Sequence, residues 1–152
     1  MLPPRTHRPE AEASYRLAAT IMTRHPAAGG TTRILIVDRD RQSGLILSFM
    51  LAARRFEEVR AVRSAGRAVA IMERFLPAIV FVDLELPDDG ANLVARQLAC
   101  RQRMRQPRLI GLTRSAEGAA VAAFAGDFER WLVKPISQQA LDDIPGIRQP
   151  NA

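Results

Sequence analysis

Five short apolar runs are spaced along the chain and separated by stretches with a helical spacing of apolar residues. Four of the runs are continuous and strongly apolar, which predicts strands buried on both faces of a sheet. The predicted strands are Arg33–Val37, Ala78–Val82, Arg108–Leu112 and Trp131–Val133, with a weaker one at Glu58–Val62. The predicted helices are Gln42–Arg54, Arg67–Phe75, Ala91–Arg103, Ala116–Phe124 and a short one from Ser137. Strand and helix alternate five times, which predicts an α/β fold with a doubly wound parallel sheet and helices on both faces.

The spacing of apolar residues also predicts which side chains form the core. In the first predicted helix, the apolar side consists of Leu45, Ile46, Phe49 and Met50, at positions i, i+1, i+4 and i+5. The two strongest strand runs should be buried throughout. They contribute the expected core residues Ile34, Leu35, Ile36, Val37, Ile79, Val80, Phe81 and Val82.

The chain divides into three parts. Residues 1–31 precede the first strand and end in a proline followed by two alanines and two glycines. Within them, Glu10–Arg24 has a weak apolar face of Tyr15, Leu17, Ala18, Ile21 and Met22, so a docking or dimerising helix and a flexible tail are both open, with the tail favoured. Residues 32–144 are predicted to form the domain. Residues 145–152 are predicted to be a C-terminal tail, because Pro145 and Gly146 end the last helix.

Composition narrows the class of protein. The net charge is +6, but the basic residues are scattered and aromatic residues make up only 5%, so a nucleic-acid partner is not expected. The single cysteine, Cys100, cannot form an internal disulfide or a metal site alone. No apolar run reaches the roughly 20 residues that span a bilayer, and the N-terminus lacks a signal-peptide pattern. We expect a cytoplasmic protein with no membrane partner.

Four of the predicted strands end in a polar residue whose side chain can bind a ligand or react. These residues are Asp38, Asp83, Thr113 and Lys134, and Lys134 is the only lysine among 22 basic residues. Ligands of open α/β sheets bind at the carboxyl ends of the strands, so the four side chains should meet there. A carboxylate can attack phosphorus and form an aspartyl phosphate. Two carboxylates can share a magnesium ion, and a hydroxyl and an ammonium can bind the remaining phosphoryl oxygens.

These landmarks resemble the receiver domain of two-component response regulators. The resemblance rests on Asp38 after Ile-Leu-Ile-Val, Asp83 before Leu-Glu-Leu-Pro, Thr113, and Lys134 followed by Pro135, in this order over residues 33–144. It implies a flavodoxin-like sheet with strand order 2-1-3-4-5. It also implies a signalling protein rather than an enzyme, with a histidine kinase or phosphotransfer protein and a downstream effector as partners. The resemblance leaves open whether the protein forms a homodimer.

The resemblance assigns a role to each landmark. Asp83 would be the phosphoacceptor, with Thr113 and Lys134 binding the phosphoryl group. Asp38, Asp83 and the backbone carbonyl of Glu85 would hold Mg²⁺. Thr113 would also act as a switch residue, together with Trp131, for which simple core packing is an equal alternative.

The acidic pocket departs from the family at one position. Receiver domains usually carry two adjacent acids after the first strand, but here the second is replaced by Arg39, with Asp40 following. Asp40 could supply a weaker metal ligand, or the Arg39 guanidinium could occupy the cation site and pair with Asp83 or Glu85. We favour the second interpretation, and a solvent-facing Arg39 is the remaining alternative. Two functions therefore stay open, a stand-alone phosphoacceptor or a degenerate receiver that binds proteins without phosphate and without Mg²⁺.

Overall fold

The computed structural model describes residues 31–100, 106–115 and 128–148. Strands β1 (Arg33–Val37), β2 (Glu58–Val62), β3 (Ile79–Asp83), β4 (Arg108–Thr113) and β5 (Arg130–Val133) form one parallel sheet in the order β2-β1-β3-β4-β5. The described helices are α1 (Arg41–Ala53), α2 (Ala65–Phe75), α3 (Gly90–Ala99) and α4 (Gln138–Asp142). The expected fold class and strand order are confirmed. The helix predicted at residues 116–124 lies outside the described residues, as does the N-terminal segment.

The sheet separates two apolar layers, because successive side chains of each strand point to opposite faces. Leu35, Val37, Val80 and Val82 join α2 and α3 in one layer. Ile34, Ile36, Ile79 and Phe81 join α1 and α4 in the other. All eight strand residues predicted as core are buried, which fits strands covered on both faces.

Helix α1 turns a different side to the sheet than its sequence indicated. Leu47, Met50 and Leu51 are buried, together with Gly44. Leu45, Ile46 and Phe49 are exposed, so the predicted apolar side was wrong for three of its four residues. Apolar residues occur almost all round this helix, and the spacing rule alone cannot select the side that packs.

Polar caps move the helix boundaries from the predicted ones. The side chain of Asp40 accepts hydrogen bonds from the backbone N–H groups of Gln42 and Ser43, so α1 begins at Arg41. The Ser64 side chain accepts from the Arg67 N–H, so α2 begins at Ala65, two residues earlier than predicted. Such caps satisfy N–H groups that have no partner within the helix.

The packed part of the chain extends beyond residue 144. Ile147 is fully buried among the side chains of the α1 layer, and the Pro145 carbonyl accepts a hydrogen bond of 2.6 Å from the Arg108 guanidinium. Arg108 also forms a bidentate ion pair with the Glu129 carboxylate, with hydrogen bonds of 2.7 and 2.8 Å. Residues 145–147 therefore belong to the domain rather than to a tail.

A buried arginine joins the end of α1 to α4. Arg54 is 4% exposed, and its guanidinium donates to Asp142 Oδ1 at 2.8 and 3.0 Å. It also donates to the carbonyls of Met50 and Gln138. These bonds satisfy a buried charge that would otherwise be costly.

Glycine at position 90 allows α3 to approach α2 closely. A Cβ atom there would lie 3.0 Å from the Cβ of Leu86 and 3.1 Å from the Cβ of Ala65. We expect Gly90→Ala to destabilise the fold by about 1–2 kcal/mol through overpacking, although alanine is the better helix former. Gly66→Ala is the matched control, because nothing lies within 4 Å of its added Cβ and stability should rise by about 0.5–1 kcal/mol. Urea unfolding of both variants measures the difference, and equal stability changes would contradict the packing argument.

The described part of the chain contains no helix that is long and apolar enough to cross a membrane.

Candidate functional site

The four polar residues that end the strands lie at the carboxyl edge of the sheet. Asp83 is the last residue of β3, and Asp38 directly follows β1. The sheet-like hydrogen bonding continues past the strands, since Asp38 N donates to Val62 O and Lys134 N donates to Thr113 O. Asp38, Asp83 and Thr113 are each no more than 2% exposed. Buried polar side chains at a strand edge indicate a site rather than a solvated surface.

Asp38 and Asp83 are held in the same local geometry. Oδ1 of Asp38 accepts from the N–H of Asp40 at 2.9 Å, and Oδ1 of Asp83 accepts from the N–H of Glu85 at 2.9 Å. In each case the backbone N–H two residues later donates to the aspartate carboxylate, a common turn motif. It fixes one carboxylate oxygen and leaves Oδ2 of each residue directed at a common cation.

That cation is the ammonium of Lys134. Its Nζ lies 2.8 Å from Asp38 Oδ2 and 3.8 Å from Asp83 Oδ2, and its side chain is 9% exposed. The closer partner of the ammonium is therefore Asp38 rather than Asp83. A cis peptide bond joins Lys134 to Pro135. The ammonium offsets part of the charge of two buried carboxylates, which would otherwise repel each other.

The Thr113 hydroxyl is already engaged with the backbone of the residue two positions later. It donates to the Ser115 carbonyl at 3.1 Å and accepts from the Ser115 N–H at 3.2 Å. To bind a phosphoryl oxygen, this hydroxyl would have to exchange its bond to the Ser115 carbonyl for the new one.

Arg39 does not occupy the cation site. Its side chain is exposed, and its carbonyl accepts from the Arg63 guanidinium. None of the ion pairs among the described residues joins Arg39 to Asp83 or Glu85; Glu85 lies 3.9 Å from Arg114 instead. The favoured interpretation of Arg39 is therefore corrected, and the structure agrees with the solvent-facing alternative. Lys134 already lies between the two carboxylates, and a second cation there would be repelled.

Asp40 serves α1 instead of turning into the pocket as a metal ligand. Hydrogen bonds from the Gln42 and Ser43 backbone N–H groups lower the pKa of the Asp40 carboxyl, with smaller contributions from the Ser43 hydroxyl and the Lys134 charge. Its role as a helix cap went unnoticed in the sequence, although an aspartate just before a helical pattern of apolar residues is a known signal.

This cap makes stability dependent on pH. A carboxyl whose pKa is lowered by folding stabilises the protein above its unfolded pKa, and this contribution is lost as pH falls through the folded value. We expect the Asp40→Asn variant, which keeps an acceptor but lacks the charge, to melt below the wild type at neutral pH. The gap should shrink towards about pH 3, below the ordinary aspartate pKa. Thermal melts of both proteins across this range test it, and a gap that widens on acidification would contradict it.

Trp131 lies at the edge of the α2–α3 layer. Its side chain is half-buried and packs against the apolar cluster of that layer. The contact agrees with core packing, and the role of Trp131 as a switch residue stays a prediction.

The turn before α3 contains two aspartates. Asp88 and Asp89 both have a left-handed backbone, and the Asp89 side chain does not cap the helix.

The pocket suits one small hard cation between two carboxylates. Among the described residues, no cluster of three or more acidic, histidine or cysteine side chains forms a metal site. Mg²⁺, however, is commonly bound by one or two carboxylates with waters and substrate phosphate, and Oδ2 of Asp38 and of Asp83 already face one ammonium. The donors therefore fit Mg²⁺, provided that Lys134 releases Asp38.

Comparison with known proteins gives a consistent result. The model of the response regulator receiver domain family matches residues 34–144. A sensor protein from Polaromonas sp. is 30% identical with a TM-score of 0.64, over 74% of this chain and 90% of that one. A receiver domain from Bermanella marisrubri is 28% identical with a TM-score of 0.61, over 75% and 94% of the two chains. A receiver domain protein from Methanospirillum hungatei is 27% identical with a TM-score of 0.56, over 71% and 85%. A search of curated proteins gave no match.

Proposed function

Because this chain belongs to the response regulator receiver family, we propose that it accepts a phosphoryl group on Asp83 and passes the signal on through protein–protein contacts. The donor would be a histidine kinase or a phosphotransfer protein, the receiver of the signal an effector protein, and the location the cytoplasm. The observation that carries the proposal is the convergence of Asp38, Asp83 and the only lysine of the chain in a buried cluster at the strand edge.

In the proposed step, an Asp83 carboxylate oxygen attacks the phosphorus of a phosphohistidine. The new O–P bond forms as the P–N bond breaks, and the imidazole nitrogen leaves with the electron pair. Asp83 Oδ2 is the candidate nucleophile, because Oδ1 already accepts the Glu85 N–H. Lys134 would then move from Asp38 to a phosphoryl oxygen, a shift that its 2.8 and 3.8 Å distances to the two carboxylates make short.

Mg²⁺ would be held by Asp38, Asp83 and the Glu85 carbonyl. It would supply positive charge that neutralises the phosphoryl oxygens. The Thr113 hydroxyl would bind another of these oxygens after releasing the Ser115 carbonyl. The protein would not turn over a substrate as an enzyme does, since the phosphoryl group ends on its own side chain.

A second function is favoured by one observation. Lys134 already neutralises Asp38, and the second acid that usually follows β1 in this family is replaced by an exposed Arg39. A pocket with its own counter-ion and one acid fewer should bind Mg²⁺ less well. The alternative is a receiver fold that binds its partner without phosphorylation.

Incubation with acetyl phosphate and Mg²⁺, followed by intact-mass spectrometry, separates the two functions. We expect one added phosphoryl group on the wild type, removable by hydroxylamine as an acyl phosphate, and none on Asp83→Asn. Asp89→Asn is the matched control, because it removes an exposed acid six residues after Asp83 in the sequence and should leave the modification unchanged. A wild type that stays unmodified with acetyl phosphate and with phosphoramidate would favour the alternative.

A further inference from the structure

Helix α1 presents three large apolar side chains to the outside. Leu45, Ile46 and Phe49 are 52%, 51% and 67% exposed and lie on one side of the helix; we refer to them as the α1 apolar face. Scattered exposed apolar residues are ordinary, but three large ones within a turn and a half form a contiguous patch. Such a patch indicates a surface that another segment covers.

A groove extends this face towards the strand edge. It has a volume of about 80 Å³ and runs from Ile46 and Met50 past Ser43 to Pro135 and Lys134. An apolar side chain lying on Ile46 could enter it. The groove and the α1 apolar face together have the shape that an amphipathic helix requires, a row of apolar contacts beside a depression.

We propose that residues 10–24 of the same chain form a helix that docks on the α1 apolar face. This N-terminal segment carries apolar side chains on one side, Tyr15, Leu17, Ala18, Ile21 and Met22, and polar ones on the other, among them Arg16, Thr20 and Thr23. Its 15 residues would span about 22 Å as a helix, close to the length of roughly 20 Å for the 13 residues of α1. Docked, it would cover the groove as well.

The chain enters the domain on the correct side for this contact. Strand β1 starts at the amino edge of the sheet, where the Thr31 hydroxyl donates to Glu58 at the start of β2. Helix α1 runs back to this edge and ends there at Ala53, on the same side as Phe49. Residues 25–31 reach about 23 Å when extended, whereas the axis of a helix on the outside of α1 lies roughly 16–20 Å from the sheet, at about 8–10 Å for each packing layer.

This path sets the direction of the docked helix. Arg24 would lie beside the end of α1 at Ala53, and the segment would run parallel to α1, with residue 10 towards the carboxyl edge of the sheet. Glu10 and Glu12 would then approach Arg41, the exposed first residue of α1. Opposite charges at this end favour the contact, while the short linker sets its direction.

The size of the patch favours an occupant on the same chain. A stable interface between separate proteins buries roughly 800 Å² on each partner, far more than three half-exposed side chains and a groove can provide. A segment tethered by a short linker has an effective concentration in the millimolar range, so a small apolar contact suffices. A second copy or a separate protein would need further surface.

Cysteine pairs in the full chain test the contact. In a Cys100→Ser background, Ala53→Cys leaves all three side chains of the α1 apolar face in place, and it is combined with either Ile21→Cys or Thr20→Cys. The two partners are neighbours in sequence with the same reach, but only Ile21 lies on the apolar side of the segment. If the docked state outnumbers the free state by about ten to one, the disulfide with Ile21→Cys should form about tenfold faster.

The mass of the product identifies the occupant. The proposal expects a disulfide-linked monomer whose rate of formation does not change with protein concentration. Equal rates for both pairs would overturn it, as would a disulfide-linked dimer, which would assign the α1 apolar face to a second copy. Ser14→Cys, on the apolar side of the segment, and Ala13→Cys, on its other side, are each paired with Gln42→Cys; they repeat the comparison at the other end of the helix and cover the case in which Ile21→Cys weakens docking. No phosphodonor is present, so these outcomes are independent of whether Asp83 is phosphorylated.

Discussion

Replacing Lys134 with methionine is expected to lower the free energy of unfolding by about 3 kcal/mol at neutral pH, at the lower end of the range for a broken buried ion pair. The variant keeps a side chain of similar length but removes the ammonium that lies 2.8 Å from Asp38 Oδ2 and 3.8 Å from Asp83 Oδ2. Two buried carboxylates then face each other without a counter-ion. Chemical unfolding of wild type and variant in the absence of divalent ions measures the loss.

Magnesium should restore part of the lost stability. A ligand that binds only the folded state stabilises it, and in Lys134→Met the carboxylate oxygens are free to accept a cation. We expect Mg²⁺ to raise the melting temperature of the variant more than that of the wild type. A variant that is destabilised but gains nothing from Mg²⁺ would show that the two aspartates do not form a cation site.

A nearby exposed cation provides the control. Arg114→Met removes a guanidinium that is 58% exposed and lies 3.9 Å from Glu85. Exposed pairs contribute about 0–1 kcal/mol, so this variant should lose at most about 1 kcal/mol. If both variants lost the same stability, burial of the Lys134 pair would not explain its effect.

The second large effect is expected at the opposite end of the molecule. Asp142→Ala removes the carboxylate that accepts two hydrogen bonds from the Arg54 guanidinium, whose own side chain is fully buried. The carbonyls of Met50 and Gln138 still accept from Arg54, but its charge is left unpaired. We expect a loss of about 2–3 kcal/mol, reduced from the value for a fully buried pair because Asp142 is about one-third exposed.

The adjacent residue is the matched control for this variant. Asp143 is exposed, and its side chain accepts one hydrogen bond from Gln139. Asp143→Ala should change stability by no more than about 0.5 kcal/mol, as is usual for surface positions. Urea titrations of the two alanine variants give the comparison, and a larger loss for Asp143→Ala would refute the role assigned to the Arg54 pair.

The strands and the positions of the site residues could be predicted because their signals are local. A continuous apolar run rich in β-branched residues, such as Ile34–Val37, has few alternatives to a buried strand. The polar residue that ends each run must then lie at the carboxyl edge of a parallel sheet. Asp38, Asp83, Thr113 and Lys134 follow from this rule without any knowledge of their contacts.

Contacts between side chains depend on distances that the sequence does not contain. Arg39 occupies the position of a metal-binding acid, yet it is exposed because Lys134 approaches the same carboxylates from β5. The buried side of α1 depends on how the helix packs, since Leu45 and Leu47 are equally apolar and only Leu47 is covered. In both cases the exposure of the side chain is determined by residues that are distant in the sequence.

The burial of Ile147 separates the family boundary from the folding boundary. The family match ends at Ile144, but a chain cut there would lose a fully buried side chain and the Pro145 carbonyl that Arg108 uses. A reporter or a binding partner fused after Ile144 would therefore be attached to a domain with an open core. Fusions meant to leave the fold intact should join after Arg148, the last residue of the described chain.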